Sequence, residues 1–170
     1  MSFSITQLSK AVVAGLAVSI TASAASADAL QSNFSFRIVD ADDAGQEILV
    51  ERSAVKPGEV IHYDLRHENK TDDAMAGLVI AAPVPDGVTI TFDGQHSSVP
   101  AVFEVQADLD PEAEGLEWST LPAVRMVADE TGTLVEQPLP ADAITAVRWS
   151  LTEPLAGGET ALNSYRVRVN

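Results

Sequence analysis

Apolar and polar residues alternate along most of the chain after residue 28. In the segment from Ile61 to Leu65, for example, Ile61, Tyr63 and Leu65 are apolar and the two residues between them are polar. Successive side chains of a strand point to opposite faces, so this pattern predicts strands that each bury one face. The same alternation is present in Phe34–Ile38, Val88–Phe92, Phe103–Gln106, Val147–Leu151 and Tyr165–Val169.

Prolines and glycines punctuate these alternating segments. Nine prolines interrupt the chain, and a proline inside a helix costs about 3 kcal/mol, so long helices are not expected. The tetrapeptide from Lys56 to Glu59, with Pro57 and Gly58 at its centre, fits a type II turn, and Pro85-Asp86-Gly87 and Gly157-Gly158 are comparable turn signals. Short strands joined by tight turns predict an all-β fold, either an antiparallel β-sandwich or, as the alternative, a closed barrel.

Three segments resemble a known family. PGEVIHYDLRHEN, GLVIAAPVPDGVTI and AVRWSLTEPLAGGETALNSYRVRV look like the conserved repeat domain of bacterial envelope and surface proteins, called domain of unknown function family eleven. The positions that match its turns and core strands are Pro57, Gly58, Tyr63, Asn69, Pro85, Gly87, Trp149, Gly157 and Gly158. The resemblance implies an immunoglobulin-like antiparallel β-sandwich of roughly seven to nine strands, used outside the cytoplasm as a spacer or adhesive module, and it implies no catalytic residues.

The N-terminal 27 residues have the features of a signal peptide. Lys10 precedes the apolar run AVVAGLAVSITASA, and Ala25-Ser26-Ala27 provides the small residues that a signal peptidase accepts. We therefore expect cleavage before Asp28, which leaves residues 28–170 as a single domain. The apolar run is shorter than the roughly 20 residues that span a bilayer, so no transmembrane segment is expected after cleavage.

Composition narrows the function classes further. The chain has no cysteine, which excludes disulfides and thiolate chemistry, so an exported domain must be held together by packing alone. Its formal net charge of -15 repels nucleic acid and anionic lipid. We therefore expect an acidic protein in the periplasm, at the cell surface or outside the cell.

An acidic segment is the strongest candidate for ligand binding. Hard oxygen ligands close together suit calcium, although Ala113 stands where an EF-hand loop requires glycine, and a solvated acidic loop is the alternative. A sugar held by this loop and by nearby Trp118 is a further possibility. The candidate metal ligands are Asp108, Asp110, Glu112, Glu114 and Glu117.

Histidines and nucleophiles give weaker signals. His62 and His67 are five residues apart on one predicted strand, so they should point to opposite faces. A copper or zinc site would have to bring His67 near His96, Met75 or Met126, whereas a hydrogen-bonded core or edge histidine is the simpler interpretation. No nucleophile elbow or other catalytic motif is present, so we expect no enzyme.

Two function classes remain open. The first is a non-enzymatic structural or interaction module of the cell envelope or surface, whose open sheet edges bind a protein partner or another copy of the chain. The second is an exported protein that binds calcium or carbohydrate through the acidic loop at residues 108–117. Both follow from the expected export and from the absence of catalytic motifs.

Overall fold

A computed structural model of the protein describes residues 29–170, and the predicted signal peptide lies outside the described residues. The described part contains eleven strands and one short 3-10 helix, and none of its helices is long and apolar enough to cross a membrane. The strands are β1 (Leu30–Ala41), β2 (Glu47–Val50), β3 (Val60–Asn69), β4 (Val79–Pro83), β5 (Val88–Ser97), β6 (Ala101–Ala107), β7 (Glu117–Thr120), β8 (Val124–Ala128), β9 (Leu134–Pro138), β10 (Ala146–Leu151) and β11 (Thr160–Val169), with the 3-10 helix at Ala141–Ala143.

The strands form two larger antiparallel sheets and a separate hairpin. The five-stranded sheet has the order β2-β1-β3-β11-β5, the four-stranded sheet has the order β4-β10-β6-β7, and β8 pairs only with β9. The predicted all-β antiparallel sandwich is confirmed, and all six alternating segments lie in strands. There are more strands than predicted, because the β8–β9 hairpin and the four-residue strands β2 and β7 carry little alternation of their own.

The core lies between the two larger sheets. Trp149 of β10 is 2% exposed and Tyr165 of β11 is 1% exposed, and their ring centroids are 6.2 Å apart across the sandwich. Tyr165 also donates a hydrogen bond from its hydroxyl to the carbonyl oxygen of Pro83 at 2.8 Å, and burial raises the pKa of this hydroxyl. These two rings therefore join one sheet to the other.

The predicted turns have the backbone geometry that they require. Gly58, Gly87 and Gly158 have positive φ angles of 86°, 81° and 73°. The amide of Glu59 donates to the carbonyl of Lys56 at 3.1 Å, which closes the turn that Pro57 and Gly58 occupy. Gly157 is needed for another reason, since a Cβ atom there would lie 2.5 Å from the backbone oxygen of Asp72.

Asn69 joins two loops at one end of the sandwich. It is 0% exposed, and its side-chain nitrogen donates to the carbonyl oxygens of Asp73, Leu155 and Ala156 at 2.7, 3.0 and 3.1 Å. Its side-chain oxygen accepts from the amide and the hydroxyl of Thr71 at 3.0 and 2.7 Å. This buried amide therefore fixes the loop after β3 against the turn before β11.

Candidate functional site

Within the part of the chain that the structure describes, one long edge of the five-stranded sheet carries no neighbouring strand. β1 pairs with β3 from Leu30 to Val39, but β2 pairs with it only from Ile38 onward. Within residues 29–170, the edge of β1 between Leu30 and Arg37 therefore has no strand beside it. We call residues 30–37 the free edge. An unpaired strand edge is a template for pairing with another extended segment.

The hydrogen bonds at both ends of β1 show which backbone groups face outward. The amide of Lys70 donates to the carbonyl of Ala29 at 2.8 Å, and the amide of Asp42 donates to the carbonyl of Gln46 at 2.9 Å. In an antiparallel ladder, alternate residues direct their backbone groups to opposite sides of the strand. The residues of the free edge that direct them away from β3 are Leu30, Ser32, Phe34 and Phe36.

Two phenylalanines flank these outward backbone groups. Phe34 and Phe36 are 55% and 42% exposed, although they lie on the same face of β1 as the fully buried Ile38. Phe36 lies opposite Tyr63, which lies opposite Tyr165, and burial increases along this row toward β11. The expected burial is therefore confirmed for Ile38 and wrong for the two phenylalanines, because the second sheet covers the middle of the first sheet and not this margin.

An open groove adjoins the phenylalanines. It has a volume of about 490 Å³ and is lined by Phe34, Ser35 and Phe36 on one side and by residues 51–53 on the other. Phe34 stacks on Tyr63 with ring centroids 5.2 Å apart, which holds the aromatic wall in place. The groove is large enough to take side chains of an extended segment that pairs with the free edge.

The other sheet edges are shorter or interrupted. Strands β2, β4 and β7 have four, five and four residues, and β4 ends in Pro83. β5 is longer, but its pairing with β11 shifts register between Ser164 and Arg166, and the 3-10 helix packs against it. Short strands, proline, bulges and covering segments are the usual means by which proteins block edge pairing. Among the described residues, the free edge of β1 contains no proline and no bulge, and the nearest segment, residues 51–53, lines an open groove beside it.

Charged residues on the outer face of this sheet bind one another. Arg37 donates to Asp64 at 2.5 Å, and the Asp64 carboxylate lies 3.1 Å from Nε2 of His62. Arg166 approaches Nδ1 of His62 at 3.2 Å and pairs with both carboxylate oxygens of Glu47. The hydrogen bonds from Arg166 hold the pKa of Glu47 below its usual value. This network satisfies its own charges, so it stabilises the sheet beside the free edge and offers no open charged site.

Four of the carboxylates of the predicted calcium site lie on the connection from β6 to β7 and the fifth is at the start of β7, and no three of them converge. Asp110 accepts a hydrogen bond from the amide of Glu112, and Glu117, the first residue of β7, accepts one from the amide of Asp110, both at 2.9 Å. Asp108, Glu112 and Glu114 are exposed. In the described residues 29–170, no three acidic or histidine side chains are placed to hold a metal ion. Calcium binding stays a prediction that this arrangement does not favour.

The histidines are separated by the sheet. His62 lies on the outer face and His67 on the inner face, as predicted from their spacing. His67 is opposite Ala161 and His96 is opposite Ser164, and these two partners lie on opposite faces of β11. The hypothetical metal site that joins His67 to His96 is therefore wrong. Burial lowers the pKa of His67, and its Nδ1 atom has no hydrogen-bond partner within residues 29–170.

Trp118, the aromatic residue considered for sugar binding, lies in an ion-paired cluster on the second sheet. The guanidinium of Arg148 is 4.4 Å from the centre of the Trp118 ring and donates to both oxygens of Glu104 at 2.7 and 2.9 Å. These hydrogen bonds hold the pKa of Glu104 below its ordinary value. Arg148 covers one face of the ring, and that face is not open to a sugar.

Asn163 is a buried polar residue that the sequence analysis did not identify. It is 0% exposed, lies opposite Leu65 and Ser97, and has no hydrogen-bond partner for either side-chain amide atom among the described residues. The signal for it was available, because Asn163 interrupts the apolar positions between Ala161 and Tyr165. Buried polar groups of this kind usually bind ordered water, so this part of the interior has polar character.

Comparisons with known proteins identify no relative. No protein-family model matches the chain, and no match was found among the curated proteins or the solved structures. The resemblance to the conserved repeat domain of envelope and surface proteins therefore stays a prediction. The free edge and its surroundings are the structural features that bear on function.

Proposed function

We propose that this protein is a non-enzymatic, exported module of the cell envelope or surface that binds an extended segment of a protein partner. The observation that carries this proposal is the free edge of β1, residues 30–37, which no strand of the described chain covers. In strand addition, backbone hydrogen bonds supply affinity and side-chain pockets supply specificity. The free edge provides the backbone hydrogen bonds, and the groove beside Phe34 and Phe36 provides the side-chain pocket.

The added segment extends the five-stranded sheet by one strand. It exchanges hydrogen bonds with the outward backbone groups of Leu30, Ser32, Phe34 and Phe36. Its alternate side chains pack on the exposed rings of Phe34 and Phe36 and enter the groove toward residues 51–53. Covering these rings removes apolar surface from water, which favours binding.

Export is the second part of the proposal, and it is supported by the predicted signal peptide at residues 1–27. The chain also suits an oxidising compartment because it has no cysteine to be oxidised. Its net charge of -15 disfavours nucleic acid and anionic lipid as partners, so a protein partner is the consistent choice.

A photocrosslinking experiment in the source cells tests this function. Phe34 is replaced by the photoreactive residue benzoylphenylalanine, and the matched control carries the same replacement at Phe92, which is 43% exposed on the far side of the sheet. We expect a crosslinked protein adduct from position 34 and none from position 92. The adduct should disappear when Ser32→Pro is added, because proline removes an outward amide and blocks strand pairing.

The adduct should persist with Ser32→Ala, which retains the amide. Absence of any adduct at position 34, or an adduct that Ser32→Pro leaves undiminished, contradicts strand addition at the free edge. A melting curve of each variant confirms that the sandwich is still folded.

A further inference from the structure

We propose that the segment bound at the free edge is the free edge of a second copy of this chain, so that the protein forms a two-fold dimer with one continuous sheet. This inference rests on the proposed function, because it names the partner of the same site. The dimer axis passes through Ser32, and the two β1 strands run antiparallel. Two-fold pairing requires a surface that complements itself, and the residues of this edge meet that requirement.

The direction of the backbone groups restricts the register. Only residues that point outward can form hydrogen-bonded pairs, and these are Leu30, Ser32, Phe34 and Phe36. With the axis at Ser32, each Ser32 faces Ser32 of the second copy, and Leu30 faces Phe34 of the second copy. An axis at Phe34 is excluded, because Leu30 of the second copy would then lie opposite Ile38, where Val50 of β2 is already paired.

Side-chain chemistry matches along this register. On the inner face, leucine meets phenylalanine, and the exposed ring of Phe34 gains an apolar cross-strand neighbour. On the outer face, Gln31 meets Asn33 of the second copy, so that two amide side chains are adjacent. Between Leu30 and Phe34, each directly opposed pair therefore joins apolar with apolar or polar with polar.

The charge distribution along the edge permits a second copy. Residues 30–36 read LQSNFSF and contain no charged side chain, in a chain whose net charge is -15. Like charges directly opposite one another destabilise strand pairs, and this register places none opposite another. A partner strand that is recognised through ion pairs would require charged side chains on the free edge. The remaining repulsion between two acidic copies acts at longer range and is screened by salt.

The size of the contact predicts a weak dimer. Each copy contributes one short strand and the apolar surface of Phe34, which is less than a standard stable interface buries. We therefore expect a dimer that forms at roughly 100 μM and that strengthens when salt is added, because salt screens the repulsion between acidic copies.

Sedimentation of the purified protein tests the inference. Samples from about 10 to about 500 μM are compared at about 0.15 and 0.5 M NaCl, a range that spans weak association and strong screening. We expect a monomer at the lowest concentration, a dimer at the highest, and more dimer at higher salt. Ser32→Pro and Phe34→Glu should each weaken dimerisation at least about tenfold, and Ser32→Ala should leave it unchanged.

The two proposals fail differently. Suppose that the purified protein stays monomeric at every concentration and that the mass of the Phe34 adduct is not that of two chains. This result overturns the second copy as the partner, but it leaves the proposed strand addition standing. A dimer that survives both Ser32→Pro and Phe34→Glu in folded protein also overturns the inference, because another surface then forms it. If neither the Phe34 adduct nor the dimer is observed, both the proposed function and the dimer inference are wrong.

Discussion

Replacing Trp149 with alanine should lower the free energy of unfolding by about 3–5 kcal/mol, the usual cost of deleting a buried aromatic ring. Trp149 is 2% exposed and lies between Phe103, with ring centroids 5.2 Å apart, and Tyr165 of the opposite sheet. Its removal leaves a cavity where the two sheets meet. Urea unfolding followed by circular dichroism measures the change, since the chain contains no cysteine to complicate refolding.

Trp118→Ala is the matched control for this substitution. Trp118 is only partly buried and contacts Arg148 on the outer face of the second sheet, so we expect its removal to cost about 1 kcal/mol. A loss of stability below about 1 kcal/mol for Trp149→Ala, or equal losses for the two tryptophans, contradicts the packing described for the core.

Asn69→Ala should destabilise the protein by about 3 kcal/mol, because several hydrogen bonds are lost and buried carbonyl groups are left without partners. The side-chain nitrogen of Asn69 is bonded to three carbonyl oxygens, two of which belong to Leu155 and Ala156 in the segment before β11. The same urea titration measures this loss. Alanine at this position separates the loop after β3 from the turn at Gly157 and Gly158.

Two further substitutions make the Asn69 result specific. Asn33→Ala changes an exposed asparagine of β1 and should cost less than about 0.5 kcal/mol. Asn69→Asp keeps the acceptor for Thr71 and loses the donors, so it should be as harmful as alanine or more so, because it also buries a charge near carbonyl oxygens. A tolerated Asn69→Asp shows that the donated hydrogen bonds do not stabilise the fold.

The fold could be predicted from sequence because a sandwich repeats one physical requirement in every strand. Segments such as Tyr165–Val169 alternate strictly, since one face is buried and the other is wet. Strand β4 was harder to recognise, because its sequence VIAAP is apolar throughout while Val79 is 55% exposed and Ile80 is 3% exposed. The hairpin β8–β9 pairs only with itself, so no core imposed a clear alternation on it.

The site was only partly accessible from sequence. Alternation shows that Phe34 and Phe36 share a face with Ile38, but it cannot show how far the opposite sheet extends over that face. The free edge itself is a property of topology, because it depends on where β2 stops pairing with β1. Open sheet edges could therefore be expected from the all-β pattern, whereas the edge that is open could not.

The acidic composition of residues 108–117 did not predict correctly how their carboxylates are arranged. Five carboxylates within a short segment predict cation binding only if the backbone turns them toward one point. Here Asp110 and Glu117 accept hydrogen bonds from amides of the loop instead. Short acidic side chains often bind nearby backbone in this way, and sequence does not distinguish this use from metal ligation.

The free edge has a consequence for how this protein avoids uncontrolled association. A long strand edge without a charged side chain from Leu30 to Phe36, beside exposed phenylalanines, is an aggregation hazard, and natural sheets usually block such an edge. In this chain the large negative charge opposes indiscriminate contact between copies. A specific partner strand bound at residues 30–37 would cover the exposed edge and prevent aggregation there. Binding such a partner is therefore a functional reason for the edge to lack the usual blocking features.

Amide hydrogen exchange along β1, measured residue by residue by nuclear magnetic resonance in dilute protein, tests the central claim most directly. The amides of Ser32 and Phe34 point away from β3 and should exchange nearly as fast as in an unfolded chain. The amides of Asn33 and Ser35 point toward β3 and should be strongly protected. Equal and strong protection of all four amides in dilute monomeric protein would mean that the edge is already occupied, and it would contradict the account.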